Sequence, residues 1–259
     1  MNSALPEPAR PWLRQLVSAE RAGARLLCFP HAGGGASAYG RWSGHTPESH
    51  ELWAVQYPGR EDRITEPTAE NIPSLAQQIA FAVQWVATTP YVLFGHSMGA
   101  IVAYETCCRL QCLGLPLPTR LFVNGSPPPD LAAELGEEDG AGPGGVWISQ
   151  DEAHEHDAES RRLAEATVHA DLALVGAYVP QGLRVEVPLT VLCNEEDPGL
   201  DEGLCRGWRE FAGRECEVRG VPGGHFGCLT DPGPTLEAIR DAAEARRTPS
   251  SPPGSVPGW

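Results

Sequence analysis

Tyr91-Val92-Leu93-Phe94-Gly95-His96-Ser97-Met98-Gly99-Ala100-Ile101-Val102-Ala103-Tyr104 runs from an apolar strand pattern, through a glycine-flanked serine, into a helix pattern without a gap. A turn that abrupt brings the strand end and the helix start close together. Gly95 and Gly99 give the backbone room, and the serine between them takes strained dihedrals that project its hydroxyl clear of the main chain. In this strand-turn-helix context the GxSxG pattern is a nucleophile elbow and implies a serine hydrolase fold. Without that context it would mark only a glycine-rich turn.

Working outward from the elbow, short apolar runs ending in turn residues recur, with helical patterns between several of them, as in an alternating α/β sheet. Arg25 to Phe29 reads as a strand ending in Pro30-His31-Ala32-Gly33-Gly34-Gly35, and Glu51 to Gln56 as another ending in Tyr57-Pro58-Gly59. Ser74 to Ala87 carries Leu75, Ile79, Ala82, Val83 and Val86 at helical spacing and predicts an amphipathic helix. The helix after Ser97 is expected to reach about Leu113; Arg120 to Val123, Leu189 to Cys193 and Glu215 to Val218 read as further strands, and Thr235 to Arg247 as a closing helix. The expectation is a mostly parallel twisted sheet with helices on both faces, forming one domain over 25–247 after an N-terminal extension, 1–24. A long segment, about 127–182, breaks the rhythm: it is acidic and glycine-rich at first, then helical in Glu152 to Thr167 and Asp171 to Tyr178. Insertions of that length between sheet strands are usually functional, and here a helical lid over the site is expected. The Pro/Ser/Gly-rich tail, 248–259, is expected to be disordered.

Composition narrows the chemistry. The 259 residues carry a formal net charge of −15, which argues against nucleic acid because a binder must neutralise phosphates with a basic face. Every basic side chain is arginine, since the sequence contains no lysine; a lysine Schiff base and a P-loop lysine are therefore excluded. No run is long and apolar enough to span a bilayer, and the first residues lack the basic-then-apolar order of a secretion signal. A cytoplasmic monomer is expected. The eight cysteines show no metal-type spacing and read as free thiols of a reducing compartment.

A serine hydroxyl needs a general base, and the base needs a carboxylate to fix its tautomer; in this kind of fold they follow in the order Ser, Asp or Glu, His. Of eight histidines only His225, in Gly223-Gly224-His225-Phe226, lies far enough downstream on a sheet-end loop. His31, His45, His50 and His96 precede Ser97, and His154, His156 and His169 fall in the insertion; these read as structural. The strand Leu189 to Cys193 runs into Asn194-Glu195-Glu196-Asp197-Pro198, where Asp197 is the expected acid, with Glu195, Glu196 and Asp201 as competitors. Acyl transfer also needs amide donors for the developing oxyanion. Met98 is one expected donor and Ala32 the other, with Gly33 as the alternative to Ala32.

Phe29-Pro30-His31-Ala32-Gly33-Gly34, Tyr57-Pro58-Gly59-Arg60-Glu61-Asp62-Arg63, the Ser97 elbow, Ala170-Asp171 with Tyr178, and Gly223-Gly224-His225-Phe226 together resemble the type II (external) thioesterases of polyketide and non-ribosomal peptide synthesis, in the α/β-hydrolase superfamily. The chain is also similar to the animal medium-chain thioesterase of fatty acid synthesis. The resemblance covers roughly Arg25 to Ala243 and implies release of acyl or aminoacyl groups from the phosphopantetheine arm of an acyl or peptidyl carrier protein. It places nucleophile, acid and base on Ser97, Asp197 and His225, and implies a reaction that needs neither a metal nor an organic cofactor. The chain departs from that pattern at Asn194, often glycine in the family, at Gly227, where a bulky apolar residue is usual, and in the leucine-poor stretch Gly136 to Glu159. Arg60 and Arg63, or Arg161 and Arg162, are candidate contacts for an acidic carrier protein unless they pair with Glu61, Asp62, Glu159 or Glu165. An esterase or acyltransferase on the same fold, and a non-catalytic carrier-binding scaffold, are the alternative readings.

Overall fold

The computed structural model describes residues 5–133 and 158–244, the side chains of 158–161 and of 244 excepted. Seven strands form one sheet: β1 (Leu13–Val17), β2 (Ala24–Phe29), β3 (His50–Val55), β4 (Tyr91–His96), β5 (Arg120–Asn124), β6 (Leu189–Asn194) and β7 (Cys216–Val221), ordered β1-β3-β2-β4-β5-β6-β7. β1 runs antiparallel to β3, and every other neighbouring pair is parallel. The central strands read as nearly unbroken apolar runs because both faces of the sheet are covered. β5 and β6 are buried at every position.

Alternation along the strands builds two cores. Leu27, Phe29, Leu93, Leu121, Val123, Leu189 and Val191 face α1 (Ile72–Val83) and α2 (Met98–Cys112). Leu26, Cys28, Phe94, Phe122 and Leu192 face the other way. They pack on the 3-10 segment Ala36–His45 and on α6 (Pro232–Glu244), which follows the short helices α4 (Glu202–Gly207) and α5 (Gly227–Thr230). A long helix, α3 (Ala158–Gly176), adds Leu174 and Val175 to the first core.

β3 lies to one side of β2 and β4 to the other. The chain therefore leaves β2 and β4 in opposite directions, and a crevice opens beyond their carboxyl ends, the usual ligand position in an open parallel sheet. The loop Pro30 to Gly35 and the Ser97 turn both lie there.

The sheet and its helices are of the expected kind, with four differences. β1 lies inside the stretch read as an N-terminal extension; only Leu13 is fully buried in it, so it shows little of the apolar alternation that marks a half-buried strand. α1 starts at Ile72 rather than Ser74, because the Asn71 Oδ1 caps it by accepting from the Ser74 N–H at 2.8 Å. α3 continues through the expected break between Thr167 and Asp171. The short helices α4 and α5 and the Ala36–His45 segment carry no sequence pattern long enough to read. The glycine-rich part of the insertion, Gly136 to Gly145, and the tail from 248 lie outside the described residues.

The two elbow glycines are tested by steric room. A Cβ on Gly95 would lie 2.6 Å from the Ala100 Cα, and one on Gly99 would lie 2.6 Å from the Pro30 carbonyl oxygen. Each neighbour is backbone and cannot rotate away. Gly99→Ala is therefore expected to lower the unfolding free energy by about 3 kcal/mol in urea titration. A loss below about 0.5 kcal/mol would show that β2 and α2 can separate freely.

Candidate active site

Ser97 has φ 54 and ψ −124, a conformation that non-glycine residues rarely adopt. It is held there from both sides: its N–H donates to the Asn124 carbonyl at 2.9 Å, and its own carbonyl accepts from Ala100 at 2.9 Å, in the first turn of α2. The strain is imposed by the sheet on one side and the helix on the other.

His225 and Asp197, 28 residues apart in sequence, meet in a buried hydrogen bond, with Nδ1 donating to the Asp197 Oδ2 at 2.7 Å. The other carboxylate oxygen accepts from the Gly199 N–H at 3.1 Å. With Nδ1 carrying the proton, Nε2 holds the lone pair of the neutral ring. That Nε2 is buried and has no hydrogen-bond partner among the described residues. The ring packs 5.0 Å from the His96 ring, the chain neighbour of Ser97. The competing acids are elsewhere: Asp201 caps α4 by accepting from the Leu204 N–H at 2.8 Å, while Glu195 and Glu196 are exposed.

Two asparagines that the sequence reading left without a role connect these parts. Asn124, at the end of β5, donates to the Asn194 Oδ1 at 2.8 Å, and Asn194, at the end of β6, donates to the His225 carbonyl at 3.1 Å. Through its backbone, Asn124 also holds Ser97. One buried amide chain thus spaces the serine strand, the acid strand and the histidine loop. A glycine at 194 could supply none of these contacts.

The loop after β2 forms a turn in which the Gly34 N–H donates to the His31 carbonyl at 3.0 Å, with Gly33 at φ +79. The Gly33 amide is already committed, donating to the Asp171 Oδ2 at 2.7 Å. Gly33, the alternative donor of the sequence reading, thus has its amide occupied, whereas the Ala32 amide has no acceptor among the described residues. Met98 opens α2, where first-turn amides have no intrahelical partner.

Arg60 and Arg63 are not surface contacts. Arg60 is 5% exposed and pairs with Asp171, with Nη1 to Oδ2 at 2.6 Å and Nη2 to Oδ1 at 2.8 Å. Arg63 is 7% exposed and pairs with Glu66. Both are turned inward because Tyr57 and Trp12 accept their guanidinium planes, at 5.0 and 4.3 Å from the ring centres. Neither pairs with Glu61 or Asp62, and neither can reach a partner protein. Arg162 is exposed, and the Arg161 side chain lies outside the described residues. Among the other histidines, His31 and His96 are buried beside the site, His45 and His169 are exposed, and His154 and His156 fall outside the described residues. Asp171 carried a readable signal: it sits with Val168 and Val175 on the apolar stripe of α3, where an acid must have a buried partner.

A family model described as thioesterase domain matches residues 24–243. Among curated proteins, the "Probable cadicidin biosynthesis thioesterase" of Streptomyces griseus is 32% identical over 85% of this chain, which spans 62% of that protein's length. Thioesterase PikA5 of Streptomyces venezuelae is 32% identical over 83% of this chain and 79% of its own. Among solved structures, the type II thioesterase BorB from the borrelidin biosynthetic cluster superposes with a TM-score of 0.73 at 30% identity, covering 89% of this chain and 96% of that one. The sheet described above is thus that of the α/β-hydrolase fold.

Burial holds the neighbouring imidazoles neutral. Desolvation, followed by the nearby His225 and Arg60, lowers the His31 pKa to about 3, and desolvation likewise pushes His96 well below the usual histidine range. An unfolded chain takes up these protons near pH 6.5 and the folded chain does not. Stability therefore falls on acidification below that point, by about 1.4 kcal/mol per pH unit for each proton withheld. Urea unfolding at pH 7 and pH 5 is expected to show a smaller acid-induced loss in His31→Asn than in the unsubstituted chain. An equal loss in both would mean that His31 takes up its proton in the folded state.

Proposed function

Given that the chain belongs to the thioesterase domain family, we propose that it is a serine thioesterase that releases acyl or aminoacyl groups from the phosphopantetheine arm of acyl or peptidyl carrier proteins. The role is editing in polyketide or non-ribosomal peptide synthesis, in the cytoplasm and as a monomer, and the helical part of the insertion roofs the site. The observation that carries this reading is the buried 2.7 Å bond between His225 and Asp197 beside a serine held at positive φ. The names of the relatives support the substrate class, and the low exposure of Ser97, Asp197 and His225, 8 to 9%, suits a reaction shielded from water.

In the reaction, the His225 Nε2 removes the Ser97 hydroxyl proton as Oγ attacks the thioester carbonyl carbon. The tetrahedral oxyanion is held by the amides of Ala32 and Met98. The C–S bond breaks, and the leaving sulfur takes the proton from His225, giving free pantetheine thiol and acyl-Ser97. A water then loses its proton to the same nitrogen and attacks the ester. Collapse of the second intermediate returns the proton to Ser97 and frees the carboxylic acid. Asp197 keeps Nδ1 protonated and stabilises the imidazolium in both half-reactions. No described helix is long and apolar enough to cross a membrane.

Ser97→Ala is expected to abolish thioester hydrolysis while leaving the circular dichroism spectrum unchanged; residual turnover near the original rate would refute the assignment. Asp197→Asn is expected to lower kcat about 10⁴-fold, against little change for Glu196→Gln. Rates on an acyl-pantetheine thioester and on the matching p-nitrophenyl ester decide the leaving group, and preference for the oxygen ester would favour an esterase. A chain that Ser97-directed fluorophosphonate fails to label would instead be a carrier-binding scaffold.

A further inference from the structure

We infer that Asp171, with Arg60 as its counter-ion, is a positioning residue for the oxyanion hole, holding the peptide units on either side of Ala32 in the orientation that transition-state binding needs. The inference deepens the thioesterase reading and rests on it.

The Asp171 Oδ2 accepts two hydrogen bonds, from the Arg60 Nη1 at 2.6 Å and from the Gly33 N–H at 2.7 Å. Oδ1 accepts from the Arg60 Nη2 at 2.8 Å, so the guanidinium grips the carboxylate with both arms. Arg60 then reaches back to the same loop, donating to the Gly34 carbonyl at 3.2 Å. The two side chains are 6% and 3% exposed. A pair so deeply buried adds little net stability over an apolar substitute. What it adds here is a fixed acceptor beside the loop that ends β2.

The loop needs such an acceptor. His31 to Gly34 close a turn with Gly33 at positive φ, the pattern of a type II turn. The peptide between its central residues, Ala32 and Gly33, is the unit whose flip converts type II to type I. The Gly33 N–H lies in that peptide, and its bond to Asp171 opposes the flip. The peptide before it, which carries the Ala32 N–H, is held by the bond from Gly34 to the His31 carbonyl at 3.0 Å. Both planes meeting at the Ala32 Cα are therefore fixed, one by the turn and one by the carboxylate.

The helix bearing Asp171 is itself anchored. Val168 packs on Gly33, where a Cβ would collide with it, and the Tyr178 hydroxyl, just after α3, donates to the Glu105 Oε2 on α2 at 2.9 Å. Arg109 pairs with the other oxygen of Glu105 at 2.6 Å. α3 is thus fastened both to the oxyanion loop and to the helix that begins at Met98, which supplies the second donor. One rigid element references both halves of the proposed hole. Positioning of this kind acts on kcat rather than on substrate affinity.

The test compares the unsubstituted chain, Asp171→Asn and the double variant Arg60→Met with Asp171→Leu. The amide of Asp171→Asn can still accept from Gly33 but loses the ion pair. The double variant removes the acceptor and both charges together, leaving no buried charge unpaired. Each is assayed for kcat and KM on an acyl-N-acetylcysteamine thioester, and for inhibition by an alkyl boronic acid, whose serine adduct places an oxygen where the oxyanion forms. The double variant is expected to lose about 10²- to 10³-fold in kcat, with KM within about threefold, boronate affinity falling in parallel with kcat, and Asp171→Asn intermediate in both. Wild-type kcat and boronate affinity in a folded double variant would overturn the inference. So would a loss of kcat with boronate affinity unchanged. Should the double variant fail to fold, Asp171→Asn alone decides on the same two readouts. Hydrolysis by the unsubstituted chain is the internal control: its absence would sink the thioesterase reading, while its presence with unaffected variants sinks only the positioning role.

Discussion

Three stretches of main chain converge at Gly95 and Gly99 more closely than any side chain would permit, and the active-site geometry depends on that approach. The carbonyls at the end of β2 lie against Gly99, and the first turn of α2 lies against Gly95. The approach seats the start of α2 over the end of β2, so the Met98 amide and the Ala32 loop come to the same crevice. It also leaves Ser97 no relaxed backbone conformation, which the hydrogen bond from its N–H to Asn124 maintains. From Asn124 the buried amide chain runs to Asn194 and on to the carbonyl of His225. The loop that carries the histidine is thereby tied to the ends of the strands that lead to the serine and the acid.

Charge is distributed in an uneven way around this centre. The chain as a whole is strongly acidic, yet beside the site the charges are paired or suppressed. Asp197 faces His225, Asp171 faces Arg60, and burial keeps His31 and His96 neutral. The imidazolium that forms transiently at His225 therefore meets one carboxylate and no competing cation on the neighbouring rings. An acidic partner protein cannot be met by Arg60 or Arg63, which are spent inside. Arg162, by contrast, is exposed.

Much of this was legible before any coordinates. The elbow, the strand ends and the order of Ser97, Asp197 and His225 follow from patterns that are local in sequence: an apolar run, a glycine pair, a proline after the acid. What escaped was non-local. Asp171 and Arg60 lie 111 residues apart, and nothing in either neighbourhood names the other, although an acid on the apolar stripe of α3 signals a hidden partner. Asn194 was visible only as a departure from a familiar pattern, because an amide bridging two strand ends has no periodicity. β1 escaped for a different reason: an edge strand buried at a single position lacks the apolar alternation that marks strands from sequence.

The central claim is that Ser97 becomes acylated by a thioester and is freed by water. Mixing the chain with an acyl carrier thioester, quenching within a turnover and mapping the intact protein and its peptides by mass spectrometry tests this directly. An adduct equal to the acyl mass on the peptide containing Ser97, appearing as carrier thiol is released and decaying as free acid accumulates, is the predicted result. Release of thiol and acid with the adduct on another residue, or with no adduct at any quench time within the first turnover, would contradict it.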